Sequence, residues 1–121
     1  MAKILVVDDS STVRDEVAGF LKSNSLDVAT AVDGKDGLAK LRADSAIKLV
    51  VCDVNMPNMD GLTMAEKVRS ELGNASVNII MLTTESSPSM KERGKAAGIK
   101  GWIVKPFNGA AVLETFRKLA S

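Results

Sequence analysis

Unbroken apolar runs alternate with runs at helical spacing along the whole chain. Ile4-Leu5-Val6-Val7, Leu49-Val50-Val51-Cys52 and Ile79-Ile80-Met81-Leu82 are continuous, the pattern of strands covered on both faces in the middle of a parallel sheet. Strands are therefore predicted over Ile4 to Val7, Lys48 to Asp53 and Val77 to Leu82, with a weaker one at Val28 to Ala31 and a short one at Gly101 to Val104. Ser10 is a good N-cap for a helix whose Val13, Val17, Phe20 and Leu21 share a face. Asp33-Gly34 leads into a short helix with Leu38 and Leu41 inward, and Asp60 caps one carrying Leu62, Ala65, Val68 and Leu72 that Gly73 is expected to stop. Ser87-Pro88 opens a fourth helix with Pro at its first position. Gly94 weakens it and Gly98 closes it, with only Met90 and the alanines expected to be buried, so it is predicted to be the least stable element. The last helix starts from Asn108, with Val112, Leu113, Phe116 and Leu119 inward.

Five strands alternating with five helices through short turns call for an α/β fold: a doubly wound, five-stranded parallel sheet with right-handed crossovers and helices on both faces. Continuous runs belong in the middle and weak ones at the edges, which gives the order 2-1-3-4-5. At 121 residues the chain is expected to form one domain spanning 1–121, with no output domain.

Charge and composition narrow the function classes. Sixteen Lys and Arg against fifteen Asp and Glu leave a formal net charge of +1, so no overall field favours nucleic acid or an anionic membrane. No apolar run approaches the roughly 20 residues of a membrane span, and Met1-Ala2-Lys3 enters a strand rather than a signal peptide. A cytoplasmic monomer is expected. Cys52 is the only cysteine and sits inside an apolar strand, where it reads as a small core residue. With no His and no Tyr, imidazole catalysis and His-based metal sites are impossible.

The candidate chemistry lies where the strands end. Asp53 follows the central run and precedes a loop of turn formers, Pro57, Asn58, Asp60 and Gly61. In the 2-1-3-4-5 order the strand ends bring Asp8, Asp9, Asp53, Thr83 and Lys105 to one rim, the end at which open α/β sheets collect ligands. Three nearby carboxylates repel, so a cation must share the site or one acid must stay protonated. All-oxygen ligation suits Mg²⁺, with Mn²⁺ as a substitute, and a backbone carbonyl just after Asp53, such as that of Asn55, could add a ligand. Asp is also a competent nucleophile toward phosphorus. Transfer needs little beyond positioning and neutralised oxygen charge, which Mg²⁺, Lys105 and Thr83 could supply. A chain with no His and no nucleotide-binding loop must receive its phosphoryl group from another molecule.

Val7-Asp8-Asp9-Ser10, the run Asp53-Val54-Asn55-Met56-Pro57-Asn58-Met59-Asp60-Gly61, Leu82-Thr83-Thr84-Glu85 and Val104-Lys105-Pro106-Phe107 resemble the bacterial response-regulator receiver domain. The likeness is greatest to the single-domain chemotaxis regulators and covers residues 4–119. The 2-1-3-4-5 order is also the one by which such folds are known, so it is no independent test of the resemblance. The resemblance implies that Asp53 accepts phosphate from a sensor histidine kinase and that Asp8, Asp9 and Asp53 with the Asn55 carbonyl hold Mg²⁺. Lys105 and Thr83 would contact the phosphoryl oxygens, Thr84 and Trp102 would join the switch, and Asn55 and Glu85 would flank the phosphate and affect its lifetime. It implies a cis Lys105-Pro106 peptide too, which the base rate of about 5–6% for X-Pro bonds does not predict. The implied partners are a kinase of the chemotaxis type, a downstream protein such as the flagellar motor switch, and a phosphatase. Trp102 stands where this type usually has Tyr, and Val54 where the best-known members have Trp. An indole offers only an N–H donor, so a switch ending in a phenol hydroxyl does not transfer unchanged.

Phosphorylation is expected to draw Thr83 toward the phosphate, repack the edge strand and the weak helix, and present a new face to a partner. A phosphate sink or relay intermediate fits the same residues. A phosphatase or phosphotransferase of the haloacid-dehalogenase type would want a second Asp two residues after the nucleophile, where this chain has Asn55. An acidic rim would repel the phosphate of a flavin.

Overall fold

The structure, a computed structural model, describes residues 3–121. The reading of Met1 and Ala2 as the approach to a strand lies outside the described residues. Ten elements alternate: β1 (Ile4–Val7), α1 (Ser11–Ser23), β2 (Val28–Ala31), α2 (Gly34–Ala43), β3 (Leu49–Cys52), α3 (Gly61–Ser70), β4 (Asn78–Thr83), α4 (Pro88–Ala96), β5 (Gly101–Val104) and α5 (Gly109–Leu119). The strands form one parallel sheet in the order β2-β1-β3-β4-β5. Among the described residues no helix is long and apolar enough to cross a membrane.

Side chains alternate across a strand, and this alternation divides the core. Leu5, Val7, Val50, Cys52, Ile79 and Met81 face α2, α3 and α4, packing with Leu38, Leu62, Met64 and Val68. Ile4, Val6, Leu49, Val51, Ile80 and Leu82 face α1 and α5, against Val17, Leu21 and Phe116. Each fully buried side chain of this kind contributes about 1.5–3 kcal/mol. The strands sort as their composition requires: every residue of β1 and β3 is buried, whereas edge strands β2 and β5 are mostly half-buried.

Ser10, Asp33, Asp60, Ser87 and Asn108 all cap helices, each accepting a backbone N–H from three residues on. Two expectations need correction. α3 ends at Ser70, before Leu72 and Gly73. The carbonyls of Lys67 and Val68 accept from Glu71, Leu72 and Asn74, so the chain widens out of the helix before reaching Gly73, whose φ is +62°. In α4 the alanines are not equivalent. Ala97, just past the helix, is buried but Ala96 is exposed, Met90 is half-buried, and the buried residue within the helix is Gly94. A Cβ there would lie 3.2 Å from both Ile99 and Trp102, so the residue that weakens the helix also lets β5 approach it.

Side-chain bonds fasten α4 to α3. Arg93 makes a two-pronged contact with Glu66, at 2.8 and 2.9 Å, and donates to Thr63. Arg69 donates to the carbonyls of Ala97, Gly98, Asn74 and Val77. The Arg93–Glu66 pair is exposed, so the Arg69 contacts with backbone carbonyls are the firmer tie.

Candidate phosphoacceptor site

The ladder of the sheet continues one residue beyond β1, β3 and β5 and so delivers their polar residues to the rim. Asp8 N–H donates to Ala31 O, Asp53 N–H to Val7 O and Lys105 N–H to Thr83 O, at 3.1, 3.0 and 2.9 Å. With their backbones held in the sheet, these side chains project where parallel strands all end together.

Lys105 Nζ lies 2.9 Å from Asp53 Oδ2 and 3.0 Å from Asp8 Oδ2. Both acids are buried, at 2% exposure for Asp8 and 8% for Asp53. The remaining oxygens are also engaged: Asp8 Oδ1 accepts Ser10 N–H at 2.9 Å, and Asp53 Oδ1 accepts Val54 N–H at 2.7 Å and Asn55 N–H at 3.4 Å. Burial pushes the Asp8 carboxyl up, and the neighbouring Asp53 charge adds to this, while the Ser10 N–H and Lys105 pull it down without cancelling the rise. Burial alone would lower Lys105, but its hydrogen bonds and charge attraction to Asp53 and Asp8 prevail and hold the ammonium above the ordinary lysine value.

Asp9 is exposed and, among the described residues, accepts no hydrogen bond; Ser10 caps α1 instead. Asp8, Asp9 and Asp53 each bring one carboxylate oxygen within 4.8 Å of the others. Three clustered carboxylates, only two of them paired with the Lys105 ammonium, leave surplus negative charge on an all-oxygen donor set, which fits a hard divalent cation such as Mg²⁺. Cys52 contributes no nucleophile. Its thiol is fully buried, donates to Asp53 O at 3.1 Å, and is pushed well above the ordinary thiol value by burial and by the charges of Asp53, Asp8 and Asp60.

Thr83 is fully buried, and its Oγ1 accepts the Glu85 N–H at 3.2 Å. Trp102 Nε1 donates to the Glu85 carbonyl at 2.7 Å. The backbone of Glu85 thus joins the end of β4 to the indole of β5, a link the sequence reading did not contain. Thr84 is exposed and lines a depression of about 370 Å³ with Val13, Glu16, Lys105, Pro106 and Phe107. The Lys105-Pro106 peptide is cis. Asn55 is exposed at the start of the loop after Asp53. Arg14, also not singled out from the sequence, donates to Asp8 O at 2.6 Å and steadies the first acidic turn from α1.

The acidic rim lies at the carboxyl end of a 2-1-3-4-5 sheet, and residues 4–117 match the family model described as the response regulator receiver domain. The chain belongs to that family. It is 39% identical over 113 residues to the chemotaxis protein CheY1 of Helicobacter pylori, a match covering 93% of this chain and 91% of the relative. The crystal structure of Vibrio cholerae CheY4 superposes with a TM-score of 0.88 at 42% identity, covering 98% of each chain. A chain of the CheX–CheY–BeF3–Mg²⁺ complex from Borrelia burgdorferi superposes with a TM-score of 0.87 at 27% identity, covering 99% of this chain and 90% of that one.

Proposed function

We propose that this receiver domain accepts a phosphoryl group on Asp53 from the phosphohistidine of a sensor kinase and signals by binding a protein that reads the phosphorylated form. The observation that carries this reading is the pair of buried carboxylates Asp53 and Asp8 at the carboxyl end of the central strands, bridged by the half-buried Lys105 ammonium. A carboxylate oxygen of Asp53 attacks phosphorus, the new O–P bond forms as the P–N bond to the donor imidazole breaks, and the departing imidazole takes up a proton. Such a transfer depends on position and on neutralising oxygen charge. Lys105, 2.9 Å from Asp53, presents its ammonium to the incoming phosphoryl oxygens, and the Thr83 hydroxyl offers a second donor. Asp8, Asp9, Asp53 and the backbone carbonyl of Asn55 would hold Mg²⁺, or Mn²⁺ in its place, which when bound neutralises phosphoryl charge. Asn55 and Glu85, flanking the acceptor, govern water access and hence phosphate lifetime. The chain takes part in its own phosphorylation and dephosphorylation rather than turning over an external substrate.

Kinship with chemotaxis proteins supports a place in chemotaxis, with the kinase of that system upstream and the flagellar motor switch downstream. The name of the Borrelia complex supports output through protein contact.

Acetyl phosphate with Mg²⁺ is expected to label the wild-type protein at one site, sensitive to hydroxylamine as an acyl phosphate is, and Asp53→Asn to abolish the label. Mass spectrometry finding the phosphate on Ser or Thr would sink the proposal. Asp9→Ala is expected to weaken Mg²⁺ binding by at least about tenfold, since even outer-shell partners cost that much, while metal-free stability stays within about 0.5 kcal/mol of wild type. Unchanged Mg²⁺ affinity with a clear loss of stability would assign the Asp9 charge to the helix terminus instead.

A further inference from the structure

The loop from β3 to α3 carries Asp53 and Asn55 near its start and is fastened further on to the corner where β2 turns into α2. Asn58 Nδ2 donates to Asp33 Oδ2 at 2.7 Å across 25 residues of sequence, and Gly34 N–H donates to Met59 O at 3.1 Å. The approach is close: a Cβ on Gly34 would lie 2.6 Å from Met59 O, and one on Gly61 2.0 Å from Asp53 O. Asn58 holds φ at +67°, a left-handed backbone that Asn tolerates better than most residues. Asp33 divides its two oxygens. Oδ1 accepts Asp36 N–H at 2.8 Å and caps α2, while Oδ2 takes the Asn58 amide. The Asp36 N–H first, and then the Asn58 amide, hold this carboxyl below the usual carboxylate range, so it is ionised at neutral pH.

We propose that the Asp33–Asn58 bond is a latch that positions the Asn55 backbone, and with it Mg²⁺ binding and phosphoryl transfer at Asp53. The inference rests on the phosphoacceptor reading above. Asn55 itself is exposed, its hydrogen-bonding link within the site being the 3.4 Å contact of its N–H with Asp53 Oδ1. Only Met56 and Pro57 separate it from Asn58, and the fixed φ of Pro57 stiffens that short span. Position set at Asn58 is therefore carried back to Asn55. Asp33 and Asn58 are positioning residues, acting through the loop rather than on the phosphoryl group.

Two variants at position 58 remove the bond differently. Asn58→Gly keeps the positive φ without steric cost but deletes the amide, and Asn58→Asp sets two carboxylates against each other. Combining Asn58→Asp with Asp33→Asn rebuilds the bond with donor and acceptor exchanged and restores the wild-type net charge, and Asn serves as well as Asp for capping α2. Mg²⁺ affinity by calorimetry and the rate of Asp53 labelling by acetyl phosphate are measured at a temperature where every variant is folded. Both single variants are expected to lose about threefold to tenfold in Mg²⁺ affinity, at or below the roughly tenfold lower limit for outer-shell partners because the latch acts through the loop rather than on a ligand directly, and to label correspondingly slowly. The double variant should return to within about twofold of wild type on the same scale. Wild-type affinity and labelling in Asn58→Gly, or a double variant no better than Asn58→Asp, would overturn the latch. Wild-type protein that binds Mg²⁺ but takes no label on Asp53 would overturn the phosphoacceptor reading, and the Mg²⁺ affinities would still decide the latch.

Discussion

Lys105→Met, which keeps the aliphatic stem and removes the ammonium, is expected to destabilise the metal-free protein by about 2–3 kcal/mol at pH 7. Removing one partner of a buried ion pair typically costs about 3–5 kcal/mol, and the 18% exposure of the Lys105 side chain lets some water substitute for it. The loss should depend on pH. Asp8 already has a raised pKa from burial, opposed by Lys105 and reinforced by Asp53; without the ammonium the opposing influence goes and the carboxyl rises further. A group whose folded pKa lies above its unfolded one contributes stability that is present below the unfolded value and lost as pH rises through the folded value. The variant's deficit relative to wild type should therefore shrink as pH is lowered from 7 to about 4, the ordinary carboxylate range, because the raised Asp8 carboxyl takes up its proton before that range is reached. Urea unfolding in EDTA at the two pH values measures it. Mg²⁺ should then stabilise the variant more than the wild type, because a divalent ion can relieve the carboxylate repulsion left behind, while labelling at Asp53 slows. An equal loss at both pH values would mean that Lys105 acts by packing rather than by charge.

The rim was legible because each of its polar residues ends or directly follows an apolar run: Asp8 after Val7, Asp53 after Cys52, Thr83 after Leu82 and Lys105 after Val104. Once the strands are parallel, those positions must share one edge, and the backbone bonds of Asp8, Asp53 and Lys105 to neighbouring strands show how the sheet enforces it. Helix starts were legible for a similar reason, since a cap is a local bond over three residues. What escaped were contacts set by loop paths and rotamers. Asp33 and Asn58 each look like an ordinary turn residue, and nothing in their own segments says they meet across 25 positions. Gly94 reads as a flaw in a helix until Ile99 and Trp102 are found against it. The end of α3 was misjudged because Gly73 marks where the left-handed turn falls, whereas the helical bonds have already slackened at Lys67 and Val68.

Thr83→Ala is expected to leave Asp53 phosphorylatable but to uncouple Trp102 from it. The nucleophile, Lys105 and the acidic residues are untouched by the substitution, so the label should still form. Trp102 is the sole indole in the chain and therefore a clean fluorescent reporter. Its Nε1–H is tied to the Glu85 carbonyl, and the N–H of that same residue is tied to Thr83 Oγ1. A hydroxyl that turns to donate to a phosphoryl oxygen redirects the lone pairs that hold Glu85. The peptide at Glu85 must follow or release, and the indole loses or exchanges its acceptor. Large side chains in close-packed surroundings change position in discrete steps, so the wild-type emission and quencher accessibility should shift clearly on phosphorylation and less with Mg²⁺ alone. In Thr83→Ala the methyl can neither donate to phosphate nor hold Glu85, so most of the phosphorylation-dependent shift should vanish. The partner affinity that depends on this shift should fall with it. The folding cost should be modest, about 1–3 kcal/mol for a buried side-chain hydrogen bond lost with its partner left behind. If Thr83→Ala retains the full phosphorylation-dependent change at Trp102, Glu85 is not the carrier and the signal leaves Asp53 by another route.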